Sequence, residues 1–424
     1  MRLAFPFVLA ALLSTALTAS AAEPLALAEA QRLAVARSQQ LAANESSASA
    51  ARRMAQAAAQ LPDPVLKVGL DNLPINGPDR FSLTRDSMTM RKIGLMQELP
   101  GADKRRLRGQ RAAQEALKLQ AERAMLTVGV LRNTAAAWLD RYYALASRDL
   151  VVRQLEETRL QVQAAEAAYR GGKGSQADVF AALGAVGMLE DKLRQVDRQA
   201  GNAAVMLARW VGSEDARRPP AGPPVWQTSE MDRNITPEHL ESHPEVAVAA
   251  AAVRAAQVDV FLAEANKQAD WSVEATYQQR GSAYSNMVSI GLSVPLQLDR
   301  ANRQDQEVAA KTALVDEALA RYEEVLRNQD AEARVLQNDW RSGKLGVERY
   351  TGSLVPLAGQ RTAAALAAYR GGKGELAAVL SARRDELELR LQALAVELET
   401  ARAWASLSFL SADHDMPVDD GSKP

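Results

Sequence analysis

Apolar and polar residues change rhythm twice along this chain, in the same order both times. From Trp271 the sequence alternates. Trp271, Val273, Ala275 and Tyr277 fall on one face of an extended strand, and Ser272, Glu274, Thr276 and Gln278 on the other. After a loop around Gly281 to Ser285, Val288, Ile290, Leu292, Val294 and Leu296 alternate with Ser289, Gly291 and Ser293. The pattern predicts a β-hairpin within 270–297. Its strands of about 9–11 residues have the length of a tilted membrane-spanning β-strand. An earlier pair, Pro64 to Asp71 and Ser87 to Leu99, predicts a second hairpin within 63–99, although adjacent Arg91 and Lys92 weaken its alternation. The pattern alone also admits a soluble hairpin packed on a helix.

Each hairpin is followed by a period near three and a half. Leu117, Ala121, Ala124, Val128, Leu131, Ala135, Trp138, Tyr142 and Leu145 mark it in the first half. Val315, Leu319, Tyr322, Leu326, Gln329, Ala333, Leu336 and Trp340 mark it in the second. That is a coiled-coil repeat. No proline interrupts Ala102 to Tyr169, so a continuous helix there would be about 100 Å long. Such a rod suits a structure crossing a cell-envelope compartment better than a globule. The second long helix is expected to kink or break at Gly343, Gly346, Gly352 and Pro356.

The two halves are copies. Ala167-Ala-Tyr169-Arg170-Gly171-Gly172-Lys173-Gly174 returns unchanged as Ala367-Ala-Tyr369-Arg370-Gly371-Gly372-Lys373-Gly374, and Ile93-Gly-Leu before Pro100 is echoed by Ile290-Gly-Leu before Pro295. The glycines supply positive-φ freedom for a turn between two helices. The predicted unit is therefore helix, β-hairpin, long helix, tip turn (169–174 or 369–374) and helix, once over 23–212 and again over 238–410. Between them 213–237 holds Pro219, Pro220, Pro223 and Pro224 and reads as an irregular crossover. Residues 411–424 read as a loose polar tail. The fold class is mainly α with a small β part.

Composition narrows the setting. Net charge is −1 and aromatic residues are 5%, so no overall field favours nucleic acid, and abundant alanine suits thin, closely packed helices. Arg2, the apolar run Leu3 to Leu17 and the small residues before Ala22 read as a secretory signal peptide over 1–22, cleaved after Ala22 or Ala21. No other stretch is expected to approach the roughly 20 apolar residues of a transmembrane helix. Cysteine is absent, which excludes disulfides, thiolate metal sites and a lipidated cysteine. Four strands cannot close a membrane barrel, since such barrels begin at about eight. If these strands span a bilayer, identical copies must share the barrel.

These features resemble the TolC-type outer-membrane efflux channel family, over essentially the whole mature chain. The resemblance rests on the duplication and on Gly-x-Gly-x4-Val at both turns (Gly172 to Val179, Gly372 to Val379). It rests also on Leu61-Pro-Asp-Pro64 before the first strand and Gln97-Glu-Leu-Pro-Gly-Ala-Asp-Lys-Arg-Arg106 closing the second. The last two are similar to the branch serving heavy-metal and cation RND pumps. The resemblance implies a homotrimer with a 12-stranded β-barrel among outer-membrane lipids and a helical barrel through the periplasm of a Gram-negative cell. It further implies that Tyr169, Arg170, Gly171, Gly172, Lys173, Gly174 and Asp178 dock a periplasmic membrane-fusion (adaptor) protein of an inner-membrane RND pump. Tyr369, Arg370, Gly371, Gly372, Lys373 and Gly374 would do the same. Relatives carry acidic residues at the periplasmic entrance; here those positions are Ala378 and Ser381, with Arg383, Arg384, Asp385 and Glu386 the nearest charges.

Candidate chemistry is sparse. His239 and His243 have metal-binding i, i+4 spacing, but Pro244 follows and an ordinary surface pair accounts for them; His414 is isolated. Met88 and Met90 could hold a soft metal ion, or could share a lipid-facing strand face. Gly171 to Gly174 lacks the preceding strand and Ser/Thr of a phosphate loop. No catalytic constellation appears, so no enzyme, metal site or cofactor is expected. A periplasmic adaptor would carry one helical hairpin amid many β-segments, a poorer match to two equal units.

Overall fold

The structure, a computed structural model, describes residues 23–223 and 240–409. The predicted signal peptide, the tail from 411 and the crossover from 224 onward lie outside them. The duplication is plain. Helices α1 (Leu27–Arg37) and α2 (Gln39–Ala58) lead to strands β1 (Val65–Asp71) and β2 (Met90–Leu99), then to α3 (Ala102–Arg170) and α4 (Gln176–Val211). In the second unit α5 (Pro244–Ala265), β3 (Trp271–Gln279) and β4 (Met287–Ser293) precede α6 (Gln304–Arg349), α7 (Val355–Arg370) and α8 (Leu376–Ser408).

The two hairpins join into one antiparallel sheet in the order β1-β2-β3-β4. Its register aligns side chains of one kind in rows. Val68, Ile93, Tyr277 and Val288 share a face, as do Leu66, Leu95, Ala275 and Ile290. The opposite rows are Lys67, Gly94, Thr276 and Ser289, then Gly69, Lys92, Gln278 and Met287. In a soluble protein the apolar face would be covered. Here Val288 is 72% and Ile290 81% exposed. The polar face is the one tied together: Lys67 Nζ lies 2.6 Å from Glu274, Lys92 Nζ lies 2.8 Å from Asp71, and Thr276 is buried. The sheet is inverted relative to a water-soluble one.

Strand ends differ from expectation for local reasons. β4 stops at Ser293, before Pro295, which has no N–H for the ladder. β2 begins at Met90 because the Asp86 carboxylate accepts from the backbone N–H of Met88 (2.7 Å) and Thr89 (3.0 Å), folding that segment into a turn. Met88 is thus outside the strand, and Met90, paired with Asp71, belongs to the polar face. The pair does not share a lipid-facing strand face.

Side chains of the sequence motifs fix the sheet to the helices. The Gln97 amide donates to the carbonyl of Pro62 at 2.8 Å, joining the segment that closes β2 to the one that opens β1. Gln297 repeats the arrangement, donating to Asn266 at 3.0 Å. Buried Lys104, at the start of α3, donates to the Gln268 carbonyl (2.5 Å) and to Asp270 (2.8 Å) just before β3.

The helix α3 runs unbroken for 69 residues. Along its lower part Val151, Leu155, Thr158, Gln161 and Ala165 are buried, the predicted three-and-a-half spacing. Midway, Leu25 anchors the main core. Its N–H donates to Pro219 (2.8 Å), and its carbonyl accepts from Ala221 (3.1 Å) and the indole of Trp138 (2.9 Å). The described crossover is therefore pinned to the N-terminal segment, and Arg218 adds an ion pair to Glu29 at 2.7 Å.

Two expectations are corrected. α5 is long and apolar enough to cross a membrane, with a mean hydropathy of 1.7. It packs instead along α3 and α6, where its Asp259 pairs with Arg111 (2.5 Å) and Lys311 (3.5 Å). Nor do Gly343 and Gly346 break α6. The helix continues to a single π turn, Tyr350–Leu354, ahead of Pro356, which places the irregularity where the proline removes a backbone donor. Gly343 and Gly346 serve close approach to α8: a Cβ on Gly343 would lie 2.3 Å from Thr400 Oγ1. Gly343→Val should force α6 and α8 apart and destabilise the fold by about 1–3 kcal/mol. Adding Thr400→Ala should recover part of that loss in denaturant titrations; equal stability of Gly343→Val and wild type would refute the close-packing role.

Candidate functional site

The helical tips are the ends farthest along the chain's two rods, and they are built alike. Gly172 and Gly372 sit at φ +72° and +70°, where a Cβ would be strained. At both turns the N–H of the second glycine donates to the tyrosine carbonyl at 3.0 Å. The lysine N–H donates to the second alanine carbonyl at 2.9 Å. These bonds satisfy carbonyls the helix end leaves open. Gly174 and Gly374 let the chain fold back, since a Cβ on either would meet the alanine Cβ of the preceding helix at 3.1 Å.

Beyond the turns the copies diverge. Ser175 caps α4: its hydroxyl accepts from the N–H of Asp178 (3.1 Å), while the Asp178 carboxylate accepts from the N–H (3.0 Å) and hydroxyl (2.7 Å) of Ser175. The hydroxyl bond, then the backbone bond, hold Asp178 below the usual aspartate range. Ser-x-x-Asp spacing is the signal from which this capping box, missed along the sequence, could have been found. Glu375, in the same place before α8, makes no side-chain cap. Tyr169 is exposed, whereas Tyr369 lies against a cluster formed by Ala165, Ala182, Leu376 and Val379. Arg170, Lys173, Arg370 and Lys373 are exposed at both tips.

The residues at the predicted entrance lie one to four turns above the second tip. Ala378 is exposed and Ser381 half-buried. The charges that follow are engaged within the chain. Arg383 pairs with Glu157 of α3, Asp385 accepts from Arg361 of α7 at 3.0 Å, Arg384 lies 3.5 Å from Asp385, and Glu386 pairs with Arg390 at 2.6 Å. No sequence signal distinguished Asp385 and Arg383 from solvated charges, because their partners lie 24 and 226 positions away. Arg383, Arg384, Leu387 and Met188 border a groove of about 430 Å³ between the two helical hairpins.

His243 caps α5, its Nδ1 accepting from the N–H of Glu245 at 3.3 Å, and burial lowers its pKa despite nearby Glu245 and Glu332. His239 and His414 lie outside the described residues. Among the described residues no three His, Asp or Glu side chains are grouped to hold an ion.

Comparison with solved structures places this geometry. The chain superposes on CusC, whose structures trace conformational changes accompanying folding and transmembrane channel formation, with a TM-score of 0.77 at 15% identity over 91% of this chain and 92% of that one. It superposes on the Campylobacter jejuni outer-membrane channel CmeC with a TM-score of 0.76 at 14% identity, over 92% and 87%. For the open state of the Neisseria gonorrhoeae outer-membrane channel MtrE the values are 0.74 and 16%, over 91% and 88%. At such identities the likeness establishes the fold. No protein-family model and no curated protein matches the sequence.

The two caps can be told apart experimentally. Ser175→Ala should cost about 1 kcal/mol of local helix stability, read as faster amide exchange at Ala177 and Asp178, while Glu375→Ala should change nothing at the second tip. Because folding lowers the Asp178 pKa, its contribution is complete above the unfolded-state value near 4 and is lost as pH falls through the folded value. Protection at the start of α4 should therefore drop below about pH 4 in wild type and less so in Ser175→Ala; identical acid profiles would contradict the cap.

Proposed function

We propose that this chain is the outer-membrane subunit of a tripartite efflux pump, a passive conduit formed by three copies. One observation carries the reading: a sheet with its apolar face outward and both edges open stands above helical hairpins about 100 Å long. Each open edge, β1 and β4, leaves backbone donors and acceptors unpaired, which hydrocarbon does not tolerate. Edge joined to edge, three copies supply twelve strands and leave none open. The polar rows then line the interior, and Lys67–Glu274 and Lys92–Asp71 become neutral pairs along it. The strands would anchor the protein without a lipidated cysteine, and the rods would reach into the periplasm of a Gram-negative cell.

The tips then face a periplasmic adaptor and, through it, an inner-membrane RND pump. Identity at Tyr169/Tyr369, Arg170/Arg370 and Lys173/Lys373 supports docking, because the turn itself demands only glycine. Tyr169, Arg170 and Lys173, with Arg370 and Lys373, offer the exposed surface. For cargo we favour heavy-metal cations. The segment Gln97 to Arg106 resembles the metal-pump branch, and Met90, Met96 and Met287 all fall on the interior-facing side of the sheet, where thioethers suit soft ions. The reading assigns no catalysis and no cofactor to the chain.

Purified in detergent, the protein should size as a trimer by light scattering and float with liposomes after reconstitution; a monodisperse monomer would sink the shared barrel. Deletion in the native cell should raise sensitivity to divalent or copper-group cations more than to hydrophobic drugs. Chains carrying Gly172→Val with Gly372→Val should insert normally yet neither restore growth nor crosslink to the adaptor. Greater sensitivity to drugs would reassign the cargo, and full rescue by the double variant would remove the tips from docking.

A further inference from the structure

Charge on the polar side of the sheet is sorted along the strands. Six charged side chains fall there: Lys67 and Asp71 on β1, Lys92 and Glu98 on β2, Glu274 on β3, and Arg280 one residue beyond it. Arg280 follows Gln278 by alternation, and its Nη1 lies 3.9 Å from the sulfur of Met287, another polar-side residue. Four of the six form the cross-strand pairs Lys67–Glu274 and Lys92–Asp71. Glu98 and Arg280 have no ion pair among the described residues. Arg280 instead donates from Nε to the Ser87 carbonyl at 2.9 Å and lies over the Tyr284 ring at 5.0 Å.

The two unpaired charges stand at opposite ends. Glu98 pairs in register with Ser272, and Arg280 lies eight positions further along β3, about 26 Å at about 3.3 Å per residue. Screening in 0.1 M salt acts over about 10 Å, so neither end cancels the other. Their surroundings keep the contrast. Where the sheet meets the helices, a hollow of about 830 Å³ is bordered by the carboxylates of Glu98, Asp270, Asp299 and Glu307 and by only two cations, Lys104 and Arg303. At the other end, Arg80 and Arg85 of the β1–β2 segment are matched by Asp79 and Asp86, which leaves Arg280 uncompensated.

We propose that the strand barrel is graded in charge along its axis and passes cations more readily outward, from the helical end, than inward. Three copies set a ring of Glu98 carboxylates at the helical end and a ring of Arg280 guanidiniums at the outer mouth. Acidic rings favour cations and basic rings favour anions, while the paired middle adds no net charge. With the helical side positive, cations enter past Glu98 and anions past Arg280, and both accumulate inside. With the polarity reversed, each meets a ring of its own sign and the barrel is depleted of carriers. The inference rests on the shared-barrel reading and names the side chains that sort ions within it.

Full-length protein in planar bilayers tests this directly, because rods about 100 Å long stay on the side of addition and fix the orientation. In 0.1 M KCl, wild-type channels should carry about twofold more current with the helical side positive than with it negative. The asymmetry should disappear in 1 M KCl, where screening shortens to about 3 Å. In a salt gradient Glu98→Gln should move the reversal potential toward chloride and Arg280→Gln toward potassium, and the double variant should conduct symmetrically. Arg280→Lys, which keeps the charge and gives up the guanidinium contacts, should keep the asymmetry. Glu274→Gln strands Lys67 and should also favour chloride, until Lys67→Gln is added and wild-type selectivity returns. Symmetric wild-type currents in 0.1 M KCl, or undiminished asymmetry in the Glu98→Gln/Arg280→Gln protein, would overturn the grading and leave the shared barrel standing. A protein that forms no conducting pore would remove both.

Discussion

On the reading proposed above the strands lie in hydrocarbon, where a backbone N–H or C=O left unpaired costs several kcal/mol, and the sheet answers to that penalty. Within the sheet each internal strand is paired on both sides; the central rows of one face are polar and those of the other aliphatic and aromatic, with Arg91, Gln97 and Gln279 at the ends of the apolar face. That division has no advantage in water, where the exposed rows through Ile93, Tyr277 and Ile290 would be a liability. It is what a bilayer requires. The two open edges are the remaining debt, and a single chain of four strands has no means to close them.

Below the sheet the problem changes from hydrogen bonds to alignment. A rod of 69 residues transmits any tilt at its upper end to its tip, so the joints carry specific polar contacts. Lys104 holds the start of α3 to the loop before β3, and Gln97 and Gln297 tie each strand pair to the segment that enters it. At mid-height the Leu25 backbone joins the amino-terminal segment, the crossover and Trp138 in one buried set of bonds. Half-buried Glu397, its pKa raised by desolvation, lies near the phenols of Tyr142 and Tyr143, whose own values rise for the same reason.

The copies of the unit share backbone and differ in side chains, and the differences follow position. The first tip has a capped helix and a free tyrosine; the second has an uncapped helix and a tyrosine packed on Leu376, where the first copy has Gln176. The second rod has a π turn after α6 and presses two glycines of α6 on α8, whereas α3 has no π turn and presses Gly109 on the α2 end instead. Duplicated chains keep the geometry both halves need, while each seam is free to change its chemistry.

Element type, order and the duplication were all legible along the chain, because period two, period three and a half and the glycine turns are local properties of neighbouring residues. The turns were legible from their glycines, although of the three in each turn only Gly172 and Gly372 take positive φ; the cap at Ser175-Gln-Ala-Asp178 has a recognisable spacing but was found only in the structure. Distant pairing was not legible. Nothing local marks Arg383 as the partner of Glu157, Lys104 as the partner of Asp270, or Leu25 as the hub of the crossover, because each contact joins segments brought together only by packing. The same limit explains the corrections: composition made Gly343 resemble a helix break and left α5 unremarked as a membrane-length helix. Whether a glycine breaks a helix or admits a neighbour depends on what stands opposite it. For Gly343 that is Thr400, and only the tertiary structure sets the two against each other.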